Sequence, residues 1–315
     1  MIVHYSSEKL GLIKKPVLTI GTFDGVHLGH QAILNHLKNI AQKIGGQTVV
    51  FTFHPHPRIA LNPEDHGLEL IQTVDDRIEK LSKAGIDHLF LYPFSKEFSR
   101  MSAVEFVRNI LVNELHVHTL TIGYNHHFGR NREGNIDLLR ELSPVYGFNV
   151  EEIPAYAEDE VNVSSTKIRE AISEGNIRTA NQYLGNTFHF KGTVVKGDQI
   201  GSKIGFPTAN IRADKTQLLP KSGVFAVKVQ IGTEMKDGMM NIGKRPTVSD
   251  SGEKRVEIHV FDFNGDLYGK DLVVFLIDQV REEQNFPSIE ALKEQLKADE
   301  INCRNILSHN TVLVH

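Results

Sequence analysis

The most constraining feature of the chain is the stretch from Leu18 to His30, Leu-Thr-Ile-Gly-Thr-Phe-Asp-Gly-Val-His-Leu-Gly-His. Apolar residues at its start predict a buried strand. Apolar side chains at helical spacing after it predict an amphipathic helix that ends at Gly45-Gly46. A glycine-rich turn between a strand and a helix favours anion binding, because unpaired N–H groups and the positive end of the helix dipole face the ligand. The spacing therefore predicts a phosphate site.

Several residues of this stretch are candidates for handling phosphate. His27 and His30 offer imidazole donors that can follow the charge that builds on a reacting phosphoryl group, so we predict that both are catalytic. Gly21, Gly25 and Gly29 allow the backbone to approach a phosphate closely. The competing interpretation is a tight turn with two surface histidines. The predicted nucleotide contacts within the stretch are Gly21, Phe23, Asp24 and Gly29.

The pattern His-x-Gly-His in this setting resembles the signature of nucleotidyltransferases, which attack the α-phosphate of a nucleoside triphosphate and release pyrophosphate. The longer string from Gly21 to His30 resembles the adenylyltransferase half of the bacterial bifunctional riboflavin kinase/FAD synthetase family. For residues 1–184, this resemblance implies a Rossmann-like parallel-sheet domain that transfers AMP to FMN. For residues 185–315, it implies a riboflavin kinase domain.

Composition narrows the possible classes of function. The 315 residues are enough for two domains, and a net charge of −4 with a pI near 6.5 argues against binding nucleic acid by bulk electrostatics. Cys303 is the only cysteine, which excludes intrachain disulfides and is typical of a reducing cytosol. No stretch approaches about 18 apolar residues, and the N-terminus lacks a signal-peptide pattern. We expect a soluble cytoplasmic protein that binds no nucleic acid and no membrane, and its oligomeric state stays open.

Up to about residue 183, strand-like apolar runs alternate with helical patterns, which predicts a doubly wound parallel sheet with helices on both faces. Ligands bind beyond the carboxyl ends of the strands in such sheets, and the two histidines follow the first predicted strand. Ser102 and Glu105 form a predicted capping box at the start of one helix. The other predicted strands are Gln47–Phe53, Ile86–Leu91, His118–Ile122 and Phe148–Ile153, and the other predicted helices are Asp75–Ala84 and Thr166–Glu174.

From about Asn186, short β-rich runs are separated by turns without helices between them, a pattern typical of a small antiparallel β-barrel. Ser288 then caps a final helix with Ile289, Leu292 and Leu296 on one face. This change of pattern places the domain boundary near residue 184. The predicted barrel strands are Phe188–Val195, Gly223–Ile231, Met239–Ile242, Arg255–Phe263 and Leu272–Asp278.

A second phosphate element is predicted at Val163-Ser-Ser-Thr-Lys-Ile-Arg169. The hydroxyls of Ser164, Ser165 and Thr166 surround a helix start, and Arg169 lies in its first turn, so together they can cradle phosphate oxygens. The competing interpretation is an ordinary helix cap beside a solvated arginine. Ser-Ser-Thr-x-Ile-Arg also resembles the second motif of the same nucleotidyltransferase family, which implies that these residues bind the nucleotide.

Two loops that follow predicted strands carry four histidines, in Phe51-Thr-Phe-His-Pro-His-Pro57 and Gly123-Tyr-Asn-His-His-Phe-Gly129. A zinc site is one interpretation, although no Cys and no helical His-x-x-x-His pair completes a ligand set. The loops also resemble the Phe-x-Pro-His-Pro and Gly-x-Asp/Asn-x-x-Phe-Gly motifs of the family, with His54 replacing the usual central residue. The resemblance implies that they line the adenine and flavin pockets. The predicted flavin contacts here are Phe53, His54, Pro55, His56 and Asn125.

The densest pattern in the second half of the chain runs from Gly192 to Ile211. Its glycines make a loop able to wrap phosphates through backbone N–H groups. Thr208 and Asn210 offer neutral oxygen ligands suited to a magnesium ion that also binds phosphate. A glycine-rich hairpin without function is the competing interpretation. The predicted phosphate contacts of this loop are Gly197, Gly201, Ser202, Lys203 and Gly205.

The segment Gly-Phe-Pro-Thr-Ala-Asn within this pattern resembles a specific mark of riboflavin kinases. Many bacterial members carry Arg at the position of Ser202, and Lys203 can supply that positive charge. The resemblance also implies that Arg281 contacts the flavin. Four further stretches resemble the same family, namely Asn241–Thr247, Val256–Phe263, Tyr268–Lys270 and Arg281–Phe286.

Kinase chemistry needs a base near the ribityl hydroxyl of the flavin and a metal that neutralises charge on the γ-phosphate. On a strand, Glu257 and His259 point to one face, and Ile258 and Val260 point to the other. An inward Glu257 beside Thr208 would fit the base, whereas an outward one would be an ordinary solvated residue. Glu257 matches the position of the family's catalytic carboxylate, so the resemblance favours the inward alternative.

The resemblance covers about Pro16 to Asp299 and implies a bifunctional flavin enzyme that uses ATP and Mg²⁺. The C-terminal domain would phosphorylate riboflavin to FMN, and the N-terminal domain would adenylylate FMN to FAD. Two alternatives stay open: a monofunctional FMN adenylyltransferase with an inactive kinase-like barrel, and a flavin-binding sensor or carrier without catalysis. The expected partners are the small molecules riboflavin, FMN and ATP.

Overall fold

The computed structural model describes residues 1–6, 13–64, 67–123, 126–153, 163–197, 201, 204–244, 254–310 and 312. The chain forms two compact units by its contacts. The first comprises Met1–Leu68 and Thr73–Ser164, and the second comprises Glu69–Gln72 and Ser165–His315. Residues 165–184 therefore belong to the second unit by contact, while the functional boundary near residue 184 stays a prediction.

The first unit contains six strands: β1 (Ile2–His4), β2 (Pro16–Ile20), β3 (Gln47–His54), β4 (His88–Pro93), β5 (Thr119–Gly123) and β6 (Asn149–Ile153). They form one parallel sheet in the order β1-β4-β3-β2-β5-β6. All five residues of β2 are buried, as expected for a strand covered on both faces. The predicted parallel sheet is confirmed, and β1 adds a short edge strand that the sequence pattern did not predict.

Helices cover this sheet: α1 (Leu28–Ile44), α2 (Pro57–Leu61), α3 (Val74–Lys83), α4 (Ala103–Glu105) and α5 (Ile136–Tyr146). Successive side chains of β2 point to opposite faces of the sheet and pack in two different core clusters. Val17 packs with residues of α1 and α3, whereas Leu18 packs in the cluster on the other face. Both hydrogen bonds of the capping box between Ser102 and Glu105 are present, which confirms that prediction. The chain continues after α4 as a π-helical segment, Phe106–Glu114.

The second unit begins with α6 (Ser165–Ser173) and α7 (Ile177–Leu184), followed by six strands: β7 (His189–Val195), β8 (Ala209–Ala213), β9 (Gly223–Ile231), β10 (Glu234–Lys244), β11 (Lys254–Val260) and β12 (Asp271–Glu282). These strands close into an antiparallel barrel in the order β10-β11-β8-β7-β12-β9, which confirms the predicted barrel. β8 was not predicted, because Ala-Asn-Ile-Arg-Ala holds a single β-branched residue.

A short segment from earlier in the chain, Glu69–Gln72, pairs with the second unit. The N–H of Leu70 donates to the carbonyl of Thr216 at 2.7 Å, and the N–H of Leu218 donates to the carbonyl of Leu70 at 2.8 Å. This pairing adds residues from the first half of the chain to the structure that surrounds the barrel.

The terminal helix α8 (Ile289–Ser308) packs its C-terminal half into the core of the second unit. Its first residue, Ile289, was predicted to lie on the apolar face of the helix, but its side chain is 63% exposed. The carboxylate of Asp299 is buried and accepts hydrogen bonds from Nε and Nη2 of Arg281 in β12 at 2.8–3.0 Å. Neither this helix nor any other in the described part of the chain is long and apolar enough to span a membrane.

Replacement of Asp299 with alanine is expected to lower the free energy of unfolding of the second unit by about 3–5 kcal/mol, because it leaves the Arg281 guanidinium without its buried counter-charge. Urea denaturation of the full chain measures this change. Glu282→Ala is the matched control, since the Lys221–Glu282 pair is exposed and such surface pairs contribute little to stability. Equal losses in the two variants would show that the buried pair does not stabilise the unit.

Candidate active sites

The loop between β2 and α1 brings the two predicted catalytic histidines together. His27 is the N-cap of α1, and its Nδ1 accepts a hydrogen bond from the backbone N–H of His30 at 3.3 Å. The two rings stack with their centroids 3.7 Å apart. Because Nδ1 of His27 is an acceptor, the neutral ring carries its proton on Nε2 and can donate it. The helix dipole adds positive potential at the same place.

His30 is held neutral by its surroundings. Burial lowers the pKa of His30 well below its ordinary value, and the charges of His27 and Arg77 lower it further. Its Nδ1 is shielded from solvent and has no hydrogen-bond partner among the described residues. The ring lies 4.9 Å from that of Phe23, centroid to centroid, and lines a large cavity. At pH 7 the imidazole therefore has one N–H to offer a ligand in that cavity.

The turn that leads into α1 has a strained backbone. Phe23 and Val26 have φ angles of 49° and 44°, which residues with a side chain rarely adopt and β-branched ones least of all. The buried guanidinium of Arg77 in α3 donates to the carbonyls of Thr22 at 2.7 Å and Phe53 at 3.0 Å. Such strain persists only where the surrounding structure fixes it. Arg77, which the sequence analysis did not single out, ties the turn to the end of β3.

The other predicted residues of the turn lie within the same packed region. Asp24 is buried. Burial lowers the pKa of Lys80 to about 8, and the nearby carboxylates of Asp76 and Asp24 reduce that shift. Gly21 donates its N–H to β3. Gly29 packs against the ring of His27, where an added Cβ would lie 3.2 Å from that ring. These residues shape the loop, and their contact with a nucleotide stays a prediction.

A cavity of about 920 Å³ opens beside His30, where β2, β3, β5 and β6 end. The ring of Phe53 lies 5.2 Å from that of Phe94 and 5.9 Å from that of Phe98, centroid to centroid. A planar apolar ring system fits among such side chains. Arg58 and Arg132 also line the cavity and place positive charge there. Phe128, from the second histidine loop, also lines the cavity, and the lining rings that the sequence analysis did not single out are Phe94, Phe98 and Phe106.

Of the predicted flavin contacts in the described part of the first unit, Phe53 alone lines the cavity. His54 and Pro55 are exposed and do not line it. His56 is the N-cap of α2, where its Nδ1 accepts from the N–H of Arg58 at 3.2 Å. Asn125 lies outside the described residues. Their roles toward a flavin stay predictions.

The zinc interpretation of the histidine loops finds no support in the described part of the chain. Within it, no group of three or more His, Cys, Asp or Glu side chains is placed to hold a metal ion. His126 lines the cavity, and burial lowers its pKa to about 4, with His127 and Arg132 acting in the same direction. His126 is therefore a neutral ring of the cavity wall at pH 7.

The second predicted phosphate element spans the start of α6. Ser164 is exposed at the end of the first unit, and Ser165 is the first residue of the helix in the second unit. Thr166 is exposed, and Arg169 donates from Nε to the carbonyl of Glu69 at 3.0 Å. Their binding of the nucleotide stays a prediction.

The second unit has its own cavity of about 290 Å³ between the barrel and α8. Glu257, His259 and Thr208 line it together, and Ile258 is buried on the opposite face of β11. Glu257 thus takes the inward one of its two predicted orientations. Glu283 also lines the cavity and is a second carboxylate that the sequence analysis did not single out.

Arg255 joins the predicted base to a predicted metal ligand. Its Nη2 lies 2.9 Å from Oε1 of Glu257, and its Nε donates to Oδ1 of Asn210 at 3.2 Å. Glu257 and Asn210 are also direct neighbours in the register of β11 and β8. The guanidinium therefore fixes both side chains, a role that only the fold reveals, because Arg255 and Asn210 are 45 residues apart in the chain.

The glycine loop before β8 packs closely on the segment that follows it. An added Cβ on Gly201 would overlap the carbonyl of Phe206, and one on Gly197 would overlap the amide of Asn210. Gly205 is exposed with a φ of 89°. The backbone at Gly197 and Gly201 therefore lies close to Asn210 and Thr208, and the contact of this loop with phosphate stays a prediction. Ser202 and Lys203 lie outside the described residues.

The predicted flavin contact Arg281 lines the barrel cavity, and its guanidinium is bound to the buried carboxylate of Asp299. Its bidentate pair with Asp299 occupies Nε and Nη2, and its guanidinium carbon lies 5.5 Å from the ring centroid of Phe286. The structure thus gives Arg281 a definite structural role, and its contact with a flavin stays a prediction.

The fold and the two sites define a two-part transferase, with a histidine pair at a helix N-terminus in a parallel sheet and a carboxylate-bearing cavity in a closed barrel. Residues 12–167 match the FAD synthetase family model, and residues 184–307 match the riboflavin kinase family model. The chain belongs to the family of bifunctional riboflavin kinase/FMN adenylyltransferases.

Relatives and a solved structure resemble nearly the whole chain. The bifunctional riboflavin kinase/FMN adenylyltransferase of Buchnera aphidicola is 39% identical over 90% of both chains, and that of Listeria monocytogenes is 38% identical over 91% of both. The protein of the same name from Escherichia coli K12 is 37% identical over 91% of both. A crystal structure described as a macrolide-efflux protein from Streptococcus pneumoniae is 33% identical, with a TM-score of 0.86 over 96% of this chain and 98% of that one.

Proposed function

We propose that the barrel phosphorylates riboflavin with ATP to give FMN, and that the parallel-sheet unit transfers AMP from a second ATP to FMN to give FAD and pyrophosphate. The observation that carries this proposal is that each unit places its motif residues on a cavity of its own: His30 on the aromatic cavity, and Glu257 with Thr208 on the barrel cavity. Binding of a flavin without catalysis would not require both sets of residues.

In adenylyl transfer, a phosphate oxygen of FMN attacks the α-phosphorus of ATP. The bond from that phosphorus to the bridging oxygen breaks, and pyrophosphate leaves. Charge builds on the phosphoryl oxygens during this step, and Nε2–H of His27 and the N–H of His30 are the donors at the helix N-terminus that stabilise it. The aromatic cavity holds the isoalloxazine ring while Arg77 keeps the loop in place.

In riboflavin phosphorylation, Glu257 accepts the proton of the terminal ribityl hydroxyl as its oxygen bonds to the γ-phosphorus. The bond to the β–γ bridging oxygen breaks, and ADP leaves. Arg255 holds the carboxylate of Glu257 in position. Thr208 and Asn210 would hold Mg²⁺, because they offer oxygen atoms and this hard cation takes oxygen ligands together with substrate phosphates. When bound there, the ion neutralises charge on the phosphates of ATP.

Incubation of the purified chain with riboflavin, ATP and MgCl₂, followed by chromatography of the flavins, tests the proposal. Formation of FMN and then FAD supports both activities. FAD formed from FMN, with no product from riboflavin, would favour a monofunctional FMN adenylyltransferase with an inactive barrel. No product from either flavin would favour a sensor or carrier.

Arg169→Lys is expected to weaken the use of ATP in FMN adenylylation by about tenfold and to spare riboflavin phosphorylation, because lysine lacks the planar fork that binds two phosphate oxygens. Steady-state rates at varied ATP measure the effect. Arg178→Lys on the next helix, where Arg178 pairs with Asp278 at 2.6 Å, is the control and should change neither rate. Equal loss of both activities in Arg169→Lys would indicate a folding role instead.

Composition supports a proposal for the cellular location and the partners of the protein. A cytoplasmic location is supported by the single cysteine and by the soluble substrates, and the acidic net charge of −4 disfavours nucleic acid as a partner. The proposed partners are riboflavin, FMN and ATP, and the proposed functional boundary lies near residue 184.

A further inference from the structure

The pairing between β8 and β11 stops at Ala209, the residue that follows the predicted metal ligand Thr208 in the chain. The register runs through Glu257↔Asn210 and ends at Ile258↔Ala209. Beyond that pair, a side chain makes the next link between the two segments: Nδ1 of His259 lies 2.7 Å from the carbonyl oxygen of Pro207. A carbonyl only accepts hydrogen bonds, so Nδ1 of His259 carries a proton and donates it.

This bond places Thr208 between two fixed points. Ala209 on one side is held by the last pair of the β8–β11 ladder, and Pro207 on the other side is held by His259. Pro207 has no backbone N–H and lies outside the ladder, so the bond to its carbonyl links this segment to β11. Without it, Thr208 would lie at the free end of a strand.

The ring of His259 is itself fixed in direction. The ring of Phe206 lies 5.4 Å from it at 68°, and the ring of Phe261 lies 5.8 Å from it at 66°, centroid to centroid. Phe206 and Phe261 are both buried in the core that packs α8 against the barrel. The donor is therefore aimed at Pro207 before any ligand arrives.

We propose that His259 is a positioning residue of the kinase site: by donating to the carbonyl of Pro207, it holds Thr208 on the cavity that Glu257 also lines, in the place where the phosphates of the nucleotide bind. This inference rests on the proposed riboflavin kinase function. Its consequence is specific, because a displaced Thr208 affects the binding of ATP, whereas the surface that would take the flavin ring keeps its shape.

Four variants of the full chain separate the hydrogen bond from the packing of the ring. His259→Asn retains an N–H donor at about the position of Nδ1, and His259→Gln carries its amide one methylene further out. His259→Phe retains the aromatic contacts without a donor, and His259→Ala removes both. We expect His259→Phe and His259→Ala to raise the KM for ATP in riboflavin phosphorylation about tenfold, on the scale of one lost hydrogen bond in a binding site. His259→Asn should recover most of the loss, and His259→Gln should not.

Three measurements on each variant decide the outcome. Calorimetric titration with ADP and MgCl₂ should show the same loss of nucleotide affinity without turnover, and the KM for riboflavin should stay within about twofold. The rate of FMN adenylylation, which uses the other unit, should not change. A raised KM for riboflavin with unchanged ADP binding would overturn the proposal, because it would mean direct contact of His259 with the flavin. Wild-type ADP affinity in His259→Phe would overturn it as well.

The remaining outcomes are also decisive. If His259→Phe and His259→Ala do not fold, as judged by thermal unfolding, the comparison of His259→Asn with His259→Gln replaces them, and equal behaviour of that pair contradicts the proposal. If the wild-type chain forms no FMN from riboflavin, the proposed kinase function fails. The ADP titrations then still show whether His259 positions the nucleotide site.

Discussion

Replacement of either His27 or His30 with alanine is expected to slow the transfer of AMP to FMN by about 10²–10³-fold, the range seen when one preorganised donor to developing charge is removed. Each of the stacked rings at the N-terminus of α1 carries an N–H donor, and burial holds His30 neutral. Rates of FAD formation from FMN at saturating ATP measure this loss. Riboflavin phosphorylation in the same samples should not change.

His27 has a structural role that must be separated from its chemical one, because its side chain also caps α1. His27→Asn keeps an N-cap acceptor and removes the imidazole donor, so it should lose the rate while it retains the stability. His36→Ala is the control for α1 itself, since His36 is on the same helix and does not line the cavity. Wild-type FAD formation in His27→Asn and His30→Ala would remove both histidines from the mechanism.

Glu257→Gln is expected to lower the rate of riboflavin phosphorylation by about 10²–10⁴-fold, because the amide keeps the size of the side chain and cannot accept the proton of the ribityl hydroxyl. The neighbouring Arg255 can still bond to the amide oxygen, so the site should retain its shape. Product formation from riboflavin and ATP, with FMN adenylylation as the internal reference, gives the measurement.

The second carboxylate of the barrel cavity supplies the matched control. Glu283 lines the same cavity, and it carries no ion pair to Arg255. Glu283→Gln should therefore phosphorylate riboflavin at close to the wild-type rate if Glu257 is the base. The reverse result, a slow Glu283→Gln and a normal Glu257→Gln, would transfer the role of base to Glu283.

Hydrophobic periodicity predicted most of the fold, and the elements it missed have physical reasons. β2 and β3 are long apolar runs between turn residues, so a buried parallel strand was the direct interpretation. β1 has only three residues and pairs along one edge, which leaves too short a pattern to detect. The π-helical course of Phe106–Glu114 has no sequence signature, because its apolar spacing is also that of an α-helix.

The candidate sites were predictable where the motif is local. His27, His30 and Gly29 are neighbours in the chain, and their spacing alone indicated a phosphate loop. Arg77 is 55 residues from Thr22, whose carbonyl it holds, and nothing in its own helix marks it as different from a solvated arginine. Contacts across such separations depend on tertiary packing, so sequence patterns of a single element do not contain them.

The pairing of Leu70 with Thr216 and Leu218 sets a limit on how the two activities can be divided. The chain contributes Glu69–Gln72 to the second unit and then returns to the first, so one cut between residues 164 and 186 cannot release that unit whole. A C-terminal fragment that begins after Gln72 leaves unpaired the carbonyl of Thr216 and the N–H of Leu218, the groups that bond to Leu70 in the full chain. A gene-splitting experiment at the domain boundary would therefore yield a kinase domain that lacks these two backbone hydrogen bonds. Two independent enzymes would require the four residues to be grafted onto the barrel.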